Sequence, residues 1–222
     1  MFGVLQETAR PCKLDIMNDE DEPSIPSQDG EDRQPKRKRR SGPKKPRKAT
    51  PQYLERAALW YLERYAATTT SLRRVLERKV DRSAKVHGTD PDEGRTVIGD
   101  LIERYQRVGL LDDRQFAESR ARSLNARGVS TRMIRGKLAQ KGLSSEMIDE
   151  AIAALEQEIG DPNRSAAIGY ARRRRIGPYR DPARRVEMRE KDLASLARAG
   201  FGYDTARWVV DAETVDDLEA LN

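Results

Sequence analysis

The feature that most constrains this 222-residue chain is that it resembles itself. Residues 138–152 (LAQKGLSSEMIDEAI) lie without gaps on residues 196–210 (LARAGFGYDTARWVV), an offset of 58 that pairs Leu138 with Leu196, Gly142 with Gly200, Leu143 with Phe201 and Ile152 with Val210. An offset of 62 lays Leu54 on Phe116, Leu62 on Leu124, Leu72 on Ile134, Leu76 on Leu138 and Lys79 on Lys141. Self-similarity at such periods marks a supersecondary unit that buries too little alone and stacks on copies of itself. The repeated glycine suits a helix end: it takes the left-handed cap without a side-chain penalty, so that Leu143 or Phe201 packs back on the helix just finished.

Local signals predict that every element of the repeat is helical. Thr50-Pro51, Asp90-Pro91, Asp161-Pro162 and Asp181-Pro182 each set a capping side chain before a proline, which tolerates the first helical position because its missing N–H has no partner there. Asp112 with Gln115 after it, and Ser130 and Ser144 ahead of apolar residues, read as further starts. Leu54, Ala57, Ala58, Tyr61 and Leu62 share one helical face; so do Leu72, Val75, Leu76 and Lys79; so do Val97, Ile98, Leu101, Ile102, Tyr105 and Val108. No stretch alternates as a strand. The expected fold is all-α: three tandem three-helix repeats, over residues 51–111, 112–160 and 161–222 with a C-terminal tail, forming an elongated array on one shallow, shared core.

Composition fits such an array. Only 36% of residues are hydrophobic, against roughly 45–50% in a typical soluble domain. Residues 1–50 carry 12 basic and 9 acidic residues with the signs segregated: 15–32 hold eight acids and no base, and 36–48 (KRKRRSGPKKPRK) nine bases and no acid. With little apolar content this segment is expected to be a disordered arm. Its basic run suits a polyanion such as nucleic acid, and in a eukaryotic protein it would equally read as a nuclear import signal. No run approaches the roughly 20 apolar residues of a membrane span, and the first fifteen residues lack the marks of a secretory signal, so a cytoplasmic protein without membrane contact is expected. One cysteine, Cys12, and one histidine, His87, are too few for a disulfide or a zinc site. His87, in KVHGTDPDEG, reads as a solvated linker residue. No catalytic group, metal or cofactor is nominated; binding is favoured over chemistry.

Residues 109–152 (GLLDDRQFAESRARSLNARGVSTRMIRGKLAQKGLSSEMIDEAI) resemble the second repeat of the RecX family, regulators of the bacterial recombinase RecA. The GLLDD-x-x-[FY]-A pattern is matched by Gly109, Leu110, Leu111, Asp112, Asp113, Phe116 and Ala117, and the [KR]-L-x-x-K-G-[IL] pattern by Lys137, Leu138, Lys141, Gly142 and Leu143. The resemblance extends over roughly residues 51–211. It implies a curved rod of tandem repeats lying in the groove of the RecA–DNA filament, bridging protomers and dampening strand exchange and the co-protease activity of the SOS response, with no catalytic residue. Three departures stand out: residues 82–95 lengthen the first unit, Gly177-Pro178-Tyr179 interrupts the third, and the first 50 residues have no counterpart.

Arginine placement agrees with an anionic partner. Arg120, Arg122, Arg127, Arg132, Arg135, Lys137 and Lys141 crowd the first two helices of the middle unit, and Arg172, Arg173, Arg174 and Arg175, with Arg180, Arg184 and Arg185, crowd the third. Four consecutive arginines span more than one helical turn and cannot all face one partner. The aromatics Trp60, Tyr61, Tyr65, Tyr105, Tyr170 and Trp208 are expected to fill cores, whereas Tyr179, in a basic loop, is the candidate exposed contact. The reading is a monomeric regulator whose partners are the RecA filament and DNA, met directly or through the filament. The alternative is an autonomous basic DNA-binding protein, a helix-turn-helix transcriptional regulator.

Overall fold

Local capping chemistry sets where the helices begin. The computed structural model describes residues 46–219, and over these the chain is all-helical: α1 (Pro51–Arg64), α2 (Thr69–His87), α3 (Pro91–Arg107), α4 (Asp113–Ala126), α5 (Thr131–Gln140), α6 (Ser145–Ile159), α7 (Pro162–Arg174), a 3-10 turn (Gly177–Tyr179), α8 (Pro182–Arg198), α9 (Tyr203–Val210) and a short α10 (Val215–Glu219). Thr50, Asp90, Asp112, Ser130, Ser144, Asp161 and Asp181 each accept a hydrogen bond from a backbone N–H of the first turn. Thr68 does the same for α2, a start hidden in the sequence by its neighbours Thr69, Thr70 and Ser71.

Five helix ends share one geometry. The residue after the helix has positive φ, its N–H bonds three residues back, and the next N–H bonds five residues back; this pattern occurs at Gly109, Gly128, Gly142, Arg175 and Gly200. The following residue then turns inward, so Leu143, Ile176 and Phe201 are buried.

Each trio of helices closes over its own apolar cluster. Leu54, Leu72, Leu76, Ile98, Ile102 and Leu111 are among the first; Ala121, Ile134, Leu138, Ile148 and Ile152 the second; Ala167, Ile176, Leu196, Phe201 and Val209 the third. The expected shared core is therefore three separate ones. Two further expectations are corrected. Val108 is 68% exposed, because α3 ends at Arg107 and the chain turns away from the apolar face. His87 belongs to the last turn of α2, with Nε2 2.7 Å from the Pro46 carbonyl oxygen, because α2 continues to the left-handed cap at Gly88.

The disordered arm expected over residues 1–50 lies mostly outside the described residues, but its last five residues do not fit that reading. The Ala49 N–H donates to the buried Ser83 Oγ at 2.9 Å, and Ala49 packs on the first cluster. That hydroxyl gives the extended backbone a partner and draws it onto α2.

With separate cores, the units need another connection, and they use the same one twice. Thr68, the fully buried N-cap of α2, donates its hydroxyl to the Lys141 carbonyl at the end of α5, at 2.7 Å. Ser130, the fully buried N-cap of α5, donates to the Ala199 carbonyl at the end of α8, also at 2.7 Å. Beside each, the first N–H of the capped helix bonds a side chain of the following unit: Thr69 N to Asp113 Oδ1 at 2.8 Å, and Thr131 N to Asn163 Oδ1 at 3.1 Å. The glycines sit against these caps. A Cβ on Gly142 would strike Thr70, and one on Gly200 would come within 2.7 Å of Ser130 Oγ.

The motif around residue 110 is thus a connector: Gly109 ends α3, Leu111 enters the first core, Asp112 caps α4, Asp113 reaches back to α2, and Ala117 enters the second core. We predict that Thr68→Val lowers stability by about 1–3 kcal/mol, from one lost cap and one orphaned carbonyl. Urea unfolding followed by hydrogen exchange should show the first unit opening before the others.

Candidate anion-binding surface

The fold sorts the arginines into paired and unpaired groups. Arg122 bonds Glu158 Oε2 at 2.6 Å and Glu118 at 3.3 Å, and Arg135 bonds Asp149. In the third unit Arg172 bonds Glu219, Arg180 holds the buried Asp192 through two hydrogen bonds of 2.7 and 3.1 Å, and Arg185 donates to the carbonyls of Pro178 and Glu213. Arg180 and Arg185 are thereby structural, clamping the turn after α7 to α8 and to the segment after α9.

A second group lacks carboxylate partners among the described residues: Arg120, Arg127, Arg132, Lys137, Lys141 and Arg175. Arg120 is the most unusual of them. It is half-buried on α4, and its Nη1 is buried with no hydrogen-bond partner. Burial, and then the neighbouring Arg127 guanidinium, hold its pKa below the usual arginine value. An arginine still stays charged at any physiological pH, so this is positive charge stored without a counterion. Arg127 ends α4, and its carbonyl accepts from Arg173 Nη1, which fixes a third guanidinium at the meeting of the second and third units. An anion reaching Arg120 and Arg127 would relieve both the repulsion and the unmet donor.

The remaining nominated residues divide. Arg174 lies over the Tyr170 ring, 5.8 Å from its centroid. Arg175 occupies the cap position that glycine fills at the other four ends, with φ 54, a conformation that costs an ordinary residue roughly 1–2 kcal/mol. Tyr179 is corrected: it is half-buried against the third cluster, because Gly177 and Pro178 are buried and the 3-10 turn folds back over the core. Tyr105 is buried, and Tyr61, Tyr170 and Trp208 pack half-buried against the cores. Among the described residues no helix is long and apolar enough to cross a membrane.

Comparison with known proteins agrees with this architecture. Residues 112–152, which hold α4 to α6, match the model of the second three-helix domain of RecX. The chain is 46% identical over 149 residues to regulatory protein RecX of Myxococcus xanthus, an alignment covering 67% of this chain and 79% of the relative. The chain belongs to the RecX family. Regulatory protein RecX of Chromohalobacter salexigens is 36% identical over 142 residues, covering 62% of this chain and 86% of the relative, and that of Mycobacterium leprae 34% over 120 residues, covering 54% and 68%. Its role is that of a RecX regulatory protein.

Three substitutions test the roles given to these arginines. Arg180 and Asp192 have side-chain exposures of 17% and 7%, so Asp192→Ala, which strands a buried cation, should cost about 3–5 kcal/mol in urea unfolding. Asp149→Ala, which breaks the exposed pair with Arg135, should cost under about 1 kcal/mol. Arg175→Gly should stabilise the fold by up to about 1 kcal/mol by removing the left-handed penalty, visible as a raised urea midpoint.

Proposed function

We propose that this protein binds the DNA filament of the RecA recombinase along its helical groove and restrains its growth, so that strand exchange and filament-stimulated proteolysis are reduced. Membership of the RecX family supports the reading. The observation that carries it is the pair Arg120 and Arg127: two guanidinium groups near one another on the middle unit, one of them partly desolvated, with no carboxylate partner among the described residues. A folded protein gains nothing for itself from such an arrangement, whereas a partner's phosphate or carboxylate would complete it. Three units, taken as residues 51–111, 112–160 and 161–222, would set weak contacts in series. Avidity then makes the length of the array matter more than any one side chain.

The regulator reading is tested by RecA-driven ATP hydrolysis and strand exchange on single-stranded DNA. The protein is expected to inhibit both at substoichiometric ratios. Changing Arg120, Arg127 and Arg132 together to Gln should weaken inhibition about ten- to a hundredfold, at roughly 0.5–1 kcal/mol per contact, while leaving helicity and the unfolding midpoint nearly unchanged. Full RecA activity at saturating protein, together with sequence-specific binding to a duplex, would instead establish an autonomous DNA-binding regulator.

A further inference from the structure

The two connections between units share their hydrogen bonds but not their packing. Between the second and third units, Gly128 lies against α7: a Cβ there would be 2.6 Å from Tyr170 N and 2.9 Å from the Ala166 carbonyl oxygen. The small residues Gly128, Ala166 and Gly169 let the backbones meet, and Tyr170 turns into the third unit, its hydroxyl 3.1 Å from Ser195 Oγ. The offset of 62 places Ala66 where the closed junction has Gly128, and α4 lies on α7 at an offset of 50, where the fully buried Ala117 and Ala121 answer to Ala167 and Ala171, so that Phe116 stands where the closed junction has Ala166 and Arg120 where it has Tyr170. Larger side chains hold the first junction apart. A cleft of about 440 Å³ remains, walled by Leu62, Tyr65, Leu110 and Phe116, with Arg120 on its lining.

This cleft has a definite chemistry. Its apolar wall includes Leu110, 47% exposed. Of the other charged groups on its lining, Arg122 is already neutralised by Glu118 and Glu158, and Asp112 caps α4 by accepting from Gln115 N, leaving Arg120 as the cation without a carboxylate partner among the described residues. A fitting occupant brings one carboxylate flanked by apolar side chains, rather than a row of phosphates. The chain carries such a segment outside the described residues: Leu14-Asp15-Ile16-Met17, followed by Asn18 and the acids Asp19, Glu20 and Asp21.

The tether reaches. The described chain begins at Pro46, held by His87 at the C-terminal end of α2, whereas the cleft lies by the α1–α2 loop at the other end of that helix. The 19 residues of α2 span about 28 Å at roughly 1.5 Å each. The 24 residues between Asp21 and Pro46 have a contour of about 80 Å at roughly 3.3 Å each. A tethered ligand also meets its site at an effective concentration on the order of millimolar, so a weak contact is enough. We propose that the cleft between the first and second units receives the chain's own segment 14–21, with Asp15 against Arg120 and Leu14, Ile16 and Met17 on the apolar wall. So placed, the segment covers Arg120 and competes with any other anion for it.

The full chain supplies its own probe, since its single cysteine, Cys12, lies two residues before Leu14. With a nitroxide on Cys12, amide signals of Ala66, Leu110 and Phe116 should lose at least half their intensity relative to the reduced label, while signals of α8 and α9 keep theirs. Salt near 1 M, where the Debye length falls to about 3 Å, should restore the lost signals. Arg120→Glu should restore them too, as should Asp15→Lys combined with Asp19→Lys, a change outside the described fold; joining both changes should bring the loss back. Broadening spread evenly over the surface, loss centred on residues 36–48, or loss that survives both single changes would overturn the proposal. So would broadening of an isotope-labelled Cys12→Ser protein by an added spin-labelled copy, because the occupant would then be a second chain. The readout needs no recombinase, so it stands or falls separately from the filament reading.

Discussion

A buried hydroxyl with two tasks holds this molecule together. Thr68 and Ser130 each accept a hydrogen bond from the first turn of their own helix and donate one to the last carbonyls of a helix in the next unit. Helix ends leave such groups unpaired by geometry, and here a donor from one end satisfies an acceptor from another across the unit boundary. The glycines at 142 and 200 follow from this, because the cap must approach the helix end closely enough for the bond to form. Since each unit has its own apolar cluster, these bonds, with the packing of α4 and α6 on α7, set how the units are arranged.

Repetition of the connector makes its variation informative. The second junction is closed by Gly128, Ala166 and Gly169, and α4 and α6 both pack on α7. The first junction keeps the hydrogen bonds but opens into a cleft, because Phe116 and Arg120 replace smaller or inward-turning residues. In the same place sits a guanidinium with an unmet buried donor. Other arginines are engaged: Arg180 with Asp192, and Arg122 and Arg135 with carboxylates. For a half-buried guanidinium with no carboxylate partner among the described residues, a binding role is the economical physical account.

Much of the fold was legible because its determinants are short-range. An Asp before a Pro caps a helix whatever surrounds it, and a Gly followed by an apolar residue ends one; both signals were read at their positions and match the helices. Thr68 was missed because three neighbouring hydroxyl residues compete for the role. Aligning it with Ser130 at the offset of 62 would have found it. Tyr179 was misread because a Gly-Pro-Tyr loop gives no local sign of which way its ring faces; the burial of Gly177 and Pro178 decides that. The arginine clusters were visible, but not which members are neutralised, since Glu158 lies 36 residues from Arg122 and Asp192 twelve from Arg180.

By itself, then, the sequence determined the all-helical character of the chain, most of its helix starts and the family, all of which depend on residues within a turn or two of one another or on self-alignment. Tertiary structure alone decided that the cores are separate, that Asp113 serves α2, that one junction is open and the other closed, and that Arg120 has no carboxylate partner among the described residues. Those outcomes depend on which side chains meet across tens of residues. Charge and hydrogen-bond partners are properties of contacts, and a list of residues does not contain its contacts.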